Sequence, residues 1–239
     1  MHYVALSRCT SLQGLHIVDL NIKGISASKK VLDFLNNEKK PLQLAYTPTY
    51  AKEDKLSVTF NNVGSVIRKW EAIRNHKNLL SSKVIILAET WLSPKHANDA
   101  FTIPGFVNLR MDSLHRVGHR GLLMFIKETL STGVSSQYQS AVLEVIAVQV
   151  KFNERIWNIL GCYKPPGTQR NVFLAEMENI LLKENAGTPM IVVGDFNVDV
   201  QDRKGEWFLK FMREKFNMHL VDTRATTWEN TRIDLMFTN

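Results

Sequence analysis

Only two cysteines, Cys9 and Cys162, occur in the 239 residues, far apart and in unrelated contexts. Two isolated thiols give neither a disulfide framework nor a zinc site, and they fit a reducing, intracellular setting, nuclear or cytoplasmic. Long apolar runs are missing too. Val84-Ile85-Ile86-Leu87-Ala88 is among the longest, far short of the roughly 18 residues needed to span a bilayer, so no membrane partner is expected. The opening residues, Met1-His2-Tyr3-Val4-Ala5-Leu6-Ser7-Arg8, lack the basic and apolar segments of a signal peptide. There is no internal repeat and no low-complexity tract. With 44% hydrophobic and 22% charged residues, a disordered, collagen-like or coiled-coil chain is excluded.

What the chain does have is a moderate excess of positive charge, +7 in all, which permits a phosphate-rich partner. The excess is spread out: +3 over residues 1–55 and +4 over residues 56–239, with no polybasic tail. A seam lies at residues 39–55, where Pro41, Pro48 and clustered Lys52-Glu53-Asp54-Lys55 lack apolar periodicity and read as a linker. Before it stand one apolar strand, Leu15 to Asp19, and a helix capped by Ser28 with Val31, Leu32 and Leu35 on one face. These cannot bury a core alone. After it the pattern predicts strands at 56–61, 84–88, 106–111, 121–127, 142–151, 156–163, 190–194, 218–221 and 232–238. Helices are predicted at 65–80, 170–184 and 204–216. Many strands with a few interspersed helices predict a two-sheet core with helices outside.

Several strand ends carry chemistry. Met190-Ile191-Val192-Val193 runs into Gly194-Asp195-Phe196-Asn197, placing a carboxylate and an amide two positions apart. Such a pair can align a water and hold a developing oxyanion; Asp and Asn are also ordinary turn formers. Glu89 follows five apolar residues, as a ligand of a hard cation would or as a solvated strand end. Asn61-Asn62 ends another strand, as metal support or as turn formers. Tyr163 precedes Lys164-Pro165-Pro166, either donating to a phosphate or packing on prolines. Asp234 interrupts an apolar strand, which is costly unless it is paired or faces a cavity; a carboxylate that orients a histidine is one such use. The loop from Arg110 to Gly121 holds three arginines and two histidines. It reads as a phosphate-contacting loop or a solvated basic one. His115 and His119 have no partners at zinc-ligand spacing.

The order of these motifs is more specific than any one of them. Asn62-Val63-Gly64-Ser65, Glu89-Thr90-Trp91-Leu92, Gly118 to Gly121 before an apolar strand, Tyr163-Lys164-Pro165-Pro166, Gly194-Asp195-Phe196-Asn197 and Arg232-Ile233-Asp234 follow the order of the endonuclease/exonuclease/phosphatase superfamily. The Glu-Thr-Trp-Leu, Tyr-x-Pro-Pro and Ile-Asp-Leu-Met-Phe-Thr-Asn forms resemble LINE-type retrotransposon endonucleases. The resemblance covers residues 56–239 and implies an α/β fold, a four-layer sandwich of two mixed sheets flanked by helices. It implies hydrolysis of phosphodiester bonds in DNA with Mg²⁺ or Mn²⁺. By position, Asn62 and Glu89 would support the metal and Asp195 would align or activate the water. Asn197 and Tyr163 would hold the phosphate, and Asp234 would orient a catalytic histidine. The family closes with Ser-Asp-His, which does not occur before Asn239. The expectation is a domain incomplete at its C-terminus and impaired in catalysis. A non-catalytic DNA-binding remnant is the alternative, and a phosphatase or phospholipase of the same superfamily is a third reading.

The front has a resemblance of its own. Tyr3-Val4-Ala5-Leu6-Ser7-Arg8-Cys9-Thr10-Ser11-Leu12-Gln13-Gly14-Leu15 is similar to the last motif of superfamily 1 helicases of the petite-integration-frequency type. There the arginine, Arg8 here, reaches the ATP γ-phosphate. Residues 1–38 then read as a helicase remnant. The phosphate-binding loop is absent, so no ATP hydrolysis is expected. A helicase tail followed by a LINE-like nuclease resembles the C-terminal part of Helitron-type transposon proteins.

Overall fold

The aliphatic and β-branched runs become strands of two mixed sheets in the computed structural model, which describes residues 55–113, 120–184, 187–201, 203–221 and 231–239. The chain divides into two units, Met1–Thr49 and Tyr50–Asn239, and every described residue belongs to the second. The strand and helix expected within residues 15–38, Arg8, the seam apart from Lys55, and His115 to His119 of the basic loop lie outside the described residues.

The first sheet has four strands in the order β1-β2-β4-β3. These are β1 (Val58–Asn62), β2 (Val84–Ala88), β3 (Phe106–Met111) and β4 (Leu122–Lys127). The second has six in the order β5-β6-β7-β8-β10-β9. Its members are β5 (Ser131–Gln139), β6 (Glu144–Phe152), β7 (Arg155–Tyr163), β8 (Met190–Asp195), β9 (His219–Leu220) and β10 (Asp234–Thr238). β1 and β2 are parallel, as are β7 and β8; all other pairs are antiparallel. Four helices cover the sheets: α1 (Val66–Arg74), α2 (Lys77–Leu80), α3 (Arg170–Glu184) and α4 (Glu206–Phe216).

Three cores account for four layers. Ile86, Ala88, Ile146, Val148, Ile159 and Val193 pack between the sheets. Val66, Ile73, Ile85, Leu87 and Phe125 join α1 to the outer face of the first sheet. Phe173, Met177, Val192, Phe208 and Met212 join α3 and α4 to the outer face of the second. Strands buried on both faces read as continuous apolar runs, which is why β2 and β4 carry no alternation. The sandwich expected from the motif order is the fold found. No helix among the described residues is long and apolar enough to cross a membrane.

Three expectations are corrected. The single helix predicted over 65–80 is two, because Asn75 ends α1 and His76 turns extended, its Nδ1 accepting the Leu79 N–H at 3.1 Å. The first turn of the predicted helix 204–216 is a 3₁₀ turn, Arg203–Gly205. β5 was not predicted at all. Ser131-Thr132-Gly133-Val134-Ser135-Ser136-Gln137 is polar and mostly exposed, and pairing with β6 at the sheet edge holds it in place.

Gly161 on β7 sets how closely the sheets approach. A Cβ there would stand 2.7 Å from Ile86 Cγ2 and 3.3 Å from Met124 Cε. Ile86 is β-branched and stiff, so it yields little room. Gly161→Ala is expected to destabilise the domain by about 1–3 kcal/mol. Phe208→Ala is expected to cost about 3–5 kcal/mol, since Phe208 lies 4.9 Å from Phe196 and 5.4 Å from Phe173 and Phe237, ring centre to ring centre. Both follow from denaturant midpoints; an unshifted Gly161→Ala would contradict the described sheet contact.

Candidate active site

Both parallel pairs deliver their carboxyl ends to one rim of the sandwich. Asn62 pairs with Ala88, the residue before Glu89, and Tyr163 pairs with Asp195. The antiparallel strands contribute their starts: Asp234 lies opposite Asp195, Glu144 opposite Tyr163, and Leu122 opposite Ala88. Residues distant in sequence thus meet because strand direction, not proximity along the chain, decides what reaches the rim.

The centre is the Asn62 side-chain amide. Its Nδ2 donates to Glu89 Oε1 at 2.9 Å and to Asp195 Oδ2 at 2.8 Å, while its Oδ1 accepts the Gly64 N–H at 3.2 Å. Tyr163 Oη donates to the same Glu89 oxygen at 3.1 Å. Asp195 Oδ1 accepts the Asn197 N–H at 3.0 Å, closing the turn after β8. Asn62, Glu89, Tyr163 and Asp195 therefore form one hydrogen-bonded network across the two sheets. Asn197 and Asp234 flank it. The strand alternation stops before Asn197, whose φ is 47°, and its Nδ2 donates to the Lys164 carbonyl at 2.8 Å. Asp234 shares a face of the second sheet with Asp195 by register.

Backbone clamps fix the rim. Val63, Ser65 and Val66 N–H groups donate to the carbonyls of Ala88, Glu89 and Thr90 at 3.0, 2.8 and 3.0 Å. Glu89 and Trp91 sit at φ 52° and 58°, a conformation that costs free energy and persists only when neighbours over-determine it. Thr90 N–H and Trp91 N–H are held by the carbonyls of Gly121 and Arg120 at 3.2 and 2.9 Å.

Two contributors were missed in the sequence. Glu144 is 1% exposed, and its Oε2 accepts the Gly121 N–H at 2.9 Å while Gln139 Nε2 donates to Oε1 at 3.1 Å. It thereby anchors the residue that clamps Thr90. The available signal was a lone carboxylate in Leu143-Glu144-Val145-Ile146. Lys164 is 4% exposed; its N–H donates to the Asp195 carbonyl at 2.9 Å, and nothing in the sequence marked it as buried. The described arginines of the basic loop do structural work. Arg110 ion-pairs with Asp112 and donates to the Ser93 carbonyl at 2.7 Å, and Arg120 donates to the carbonyls of Ser140 and Ala141.

Electrostatics follow from this geometry. Burial raises the pKa of Asp195, the Glu89 charge adds to the rise, and donors from Asn62 and Asn197 oppose it. Burial, with the nearby Glu89 and Asp195 charges, pushes the Tyr163 phenol well above its ordinary value, so it stays a donor. Among the described residues, no Lys or Arg ion-pairs with Glu89 or Asp195. Two carboxylates on one rim, with the Asp195 charge partly offset by nearby Lys164, suit a hard divalent cation, which takes one or two carboxylates and keeps much of its water. Among the described residues, no group of three or more acidic, His or Cys side chains is arranged to hold a metal ion.

A raised Asp195 pKa means that its favourable contribution to stability is complete below pH 3.8 and is lost as pH rises through the folded-state value. Glu89→Gln keeps an acceptor oxygen for Asn62 and Tyr163 but removes the neighbouring charge. It is expected to lower the Asp195 pKa, read from carboxyl ¹³C shifts, and to raise the urea midpoint at neutral pH. The gain should vanish below pH 3.8. An unmoved Asp195 titration would show that the two carboxylates are uncoupled.

Comparison with known proteins agrees with this architecture. No curated protein sequence matches. The endonuclease domain of TRAS1, a telomere-specific non-LTR retrotransposon, superposes with a TM-score of 0.56 at 12% identity, covering 75% of this chain and 82% of that one. An AP endonuclease from Archaeoglobus fulgidus gives 0.56 at 14% identity, covering 77% and 86%. D. rerio TDP2 complexed with a single-strand DNA product gives 0.54 at 12% identity, covering 77% and 83%. At these identities the likeness is one of fold. Residues 54–239 match the profile of the Endonuclease/Exonuclease/phosphatase family, and with most of its length so matched, the chain belongs to that family.

Proposed function

We propose that residues 56–239 form a phosphodiester hydrolase acting on DNA with Mg²⁺ or Mn²⁺, the endonuclease domain of a mobile-element protein. The observation that carries this reading is the single network joining Asn62, Glu89, Tyr163 and Asp195 at the rim. The TRAS1 domain, itself a retrotransposon endonuclease, supports the choice of substrate class. For residues 1–38 the helicase-tail reading, for 39–55 the linker reading, and the Helitron-type parent rest on sequence motifs alone.

Glu89 and Asn62 would hold the divalent cation. When bound, it supplies positive charge against the phosphate oxygens and lowers the pKa of nearby water. Asp195, fixed by Asn62 and the Asn197 N–H, aligns a water and takes its proton as the water oxygen attacks phosphorus. Tyr163, kept protonated, donates to a non-bridging oxygen. Asn197 spends one side-chain N–H on Lys164 and offers the other to the same phosphate, a neutral donor aimed where negative charge builds. The P–O bond opposite the attacking water breaks, and the departing oxygen takes a proton from a solvent water. On this reading Asp234, opposite Asp195, would orient a histidine.

A second reading is DNA binding without cleavage, which the +7 charge supports.

Purified protein is expected to nick supercoiled plasmid in Mg²⁺ or Mn²⁺ and to stop in EDTA. Asp195→Ala should abolish nicking, and Tyr163→Phe should slow it roughly 100-fold. Binding that weakens with salt but produces no nick would select the second reading. Neither binding nor nicking would remove DNA as the substrate.

A further inference from the structure

The turn between β5 and β6 grips the segment that clamps the rim. The Arg120 guanidinium donates to the Ser140 and Ala141 carbonyls at 3.2 and 3.0 Å, and Glu144 Oε2 accepts the Gly121 N–H at 2.9 Å. The turn is itself closed, because the Ser140 hydroxyl oxygen accepts the N–H groups of Val142 and Leu143, both at 3.1 Å. Arg120 and Gly121 are therefore fixed to one support. The same two residues present their carbonyls to the N–H groups of Trp91 and Thr90. A line of hydrogen bonds runs from Glu144 through Gly121 to Thr90, the neighbour of Glu89.

Glu144 is a costly residue to keep there. It is buried at the start of a strand, between the buried Leu143 and Val145. No Lys or Arg ion-pairs with it among the described residues. A buried carboxylate without a charged partner opposes folding, and a backbone N–H needs only one neutral acceptor. The second oxygen adds direction. Glu144 Oε1 accepts Gln139 Nε2 at 3.1 Å, and Gln139 Nε2 also donates to the Asp112 carbonyl at 2.6 Å. With both oxygens held, the plane of the carboxylate is set, and with it the placement of Gly121.

That placement has little slack. Gly121 meets Thr90 so closely that a Cβ would stand 2.6 Å from the Thr90 hydroxyl and 3.1 Å from the Met111 carbonyl. Glu89 and Trp91, on either side of Thr90, sit at φ 52° and 58°, which persists only while the surroundings impose it. Freed from Gly121, the segment from Glu89 to Trp91 relaxes toward ordinary backbone angles. The Glu89 carboxylate then loses its fixed relation to Asn62 and Tyr163.

We propose that Glu144 is a positioning residue for the divalent cation: acting through Gly121 and Thr90, it sets the Glu89 carboxylate and thereby the affinity for the ion. This deepens the reading of Glu89 as a metal ligand and rests on it. Groups that orient a metal ligand are worth roughly 10–100-fold in metal affinity.

The test titrates Mn²⁺ into the full chain without DNA and follows the free ion by electron paramagnetic resonance. Glu144→Ala should weaken binding at least about tenfold, and Glu144→Gln, which keeps an acceptor for the Gly121 N–H, should retain most of the affinity. In the metal-free protein, Glu144→Ala should speed amide hydrogen exchange at Thr90 and leave the amides of β7 protected, which separates local loosening from general loss of stability. In nicking assays the same variant should need about tenfold more Mn²⁺ for its half-maximal rate and recover at saturating ion. If Glu144→Ala does not fold, Gln139→Ala, at a partly exposed position, frees Glu144 Oε1 and should weaken Mn²⁺ binding in the same direction. Mn²⁺ affinity unchanged in the variant that folds, or protection lost throughout β7 as well as at Thr90, overturns the positioning role. Glu89 then stands as a ligand if Glu89→Ala abolishes binding. Mn²⁺ binding that survives Glu89→Ala, or an unaltered chain that binds no Mn²⁺, overturns the metal reading and this proposal with it.

Discussion

A single amide holds two carboxylates apart and two sheets together. Asn62 reaches from β1 in the first sheet to Glu89, which follows β2, and to Asp195, which ends β8 in the second sheet. A carboxylate has no proton to donate when ionised, so two of them can share a location only through a donor placed between them. The amide supplies both N–H groups without adding charge. The remaining features of the rim serve this contact. Close approach of the sheets at Gly161 brings the strand ends within reach, and parallel pairing within each sheet sends them to the same side.

The rim is held under tension. Glu89 and Trp91 occupy left-handed backbone conformations, and Gly121, at φ 97°, meets Thr90 closely enough that a Cβ would stand 2.6 Å from its hydroxyl. Glu144 is buried to hold that clamp, and the Asp195 carboxylate is buried with its pKa raised. Buried charge and backbone strain each oppose folding. They are tolerated because large apolar cores on both sides of the second sheet stabilise the domain independently. On the proposed reading, a site assembled this way would be prepared for an ion and a phosphate before either arrives, which is the condition for electrostatic stabilisation without reorganisation.

Much of this was legible in the residues. β2, β3 and α3 fall where apolar runs and helical spacing put them, because β2 is buried throughout and α3 buries Phe173, Met177, Ile180 and Leu181 at three- and four-residue spacing. Glu89, Tyr163 and Asp195 stood out as polar groups at the ends of apolar strands, and Asn62 by its place in the motif order. β5 was illegible: an exposed edge strand is held by backbone hydrogen bonds that any residue can make. The break between α1 and α2 was hidden because Ile73 and Leu80 keep helical spacing across it while the backbone turns at His76. Lys164 was invisible because its burial depends on segments far away in the chain, and Glu144 left only the trace of a lone carboxylate in an apolar run.

By itself, the sequence determined the layer order, the identity of the polar strand tips and the oxygen-rich chemistry available to them, since these depend on local hydrophobicity and residue type. Tertiary structure alone decided that Asn62 would bridge Glu89 and Asp195 and that Asn197 would turn toward Lys164. Those contacts join residues up to 133 positions apart, and strand direction and the spacing between sheets, which exist only in the folded chain, set them.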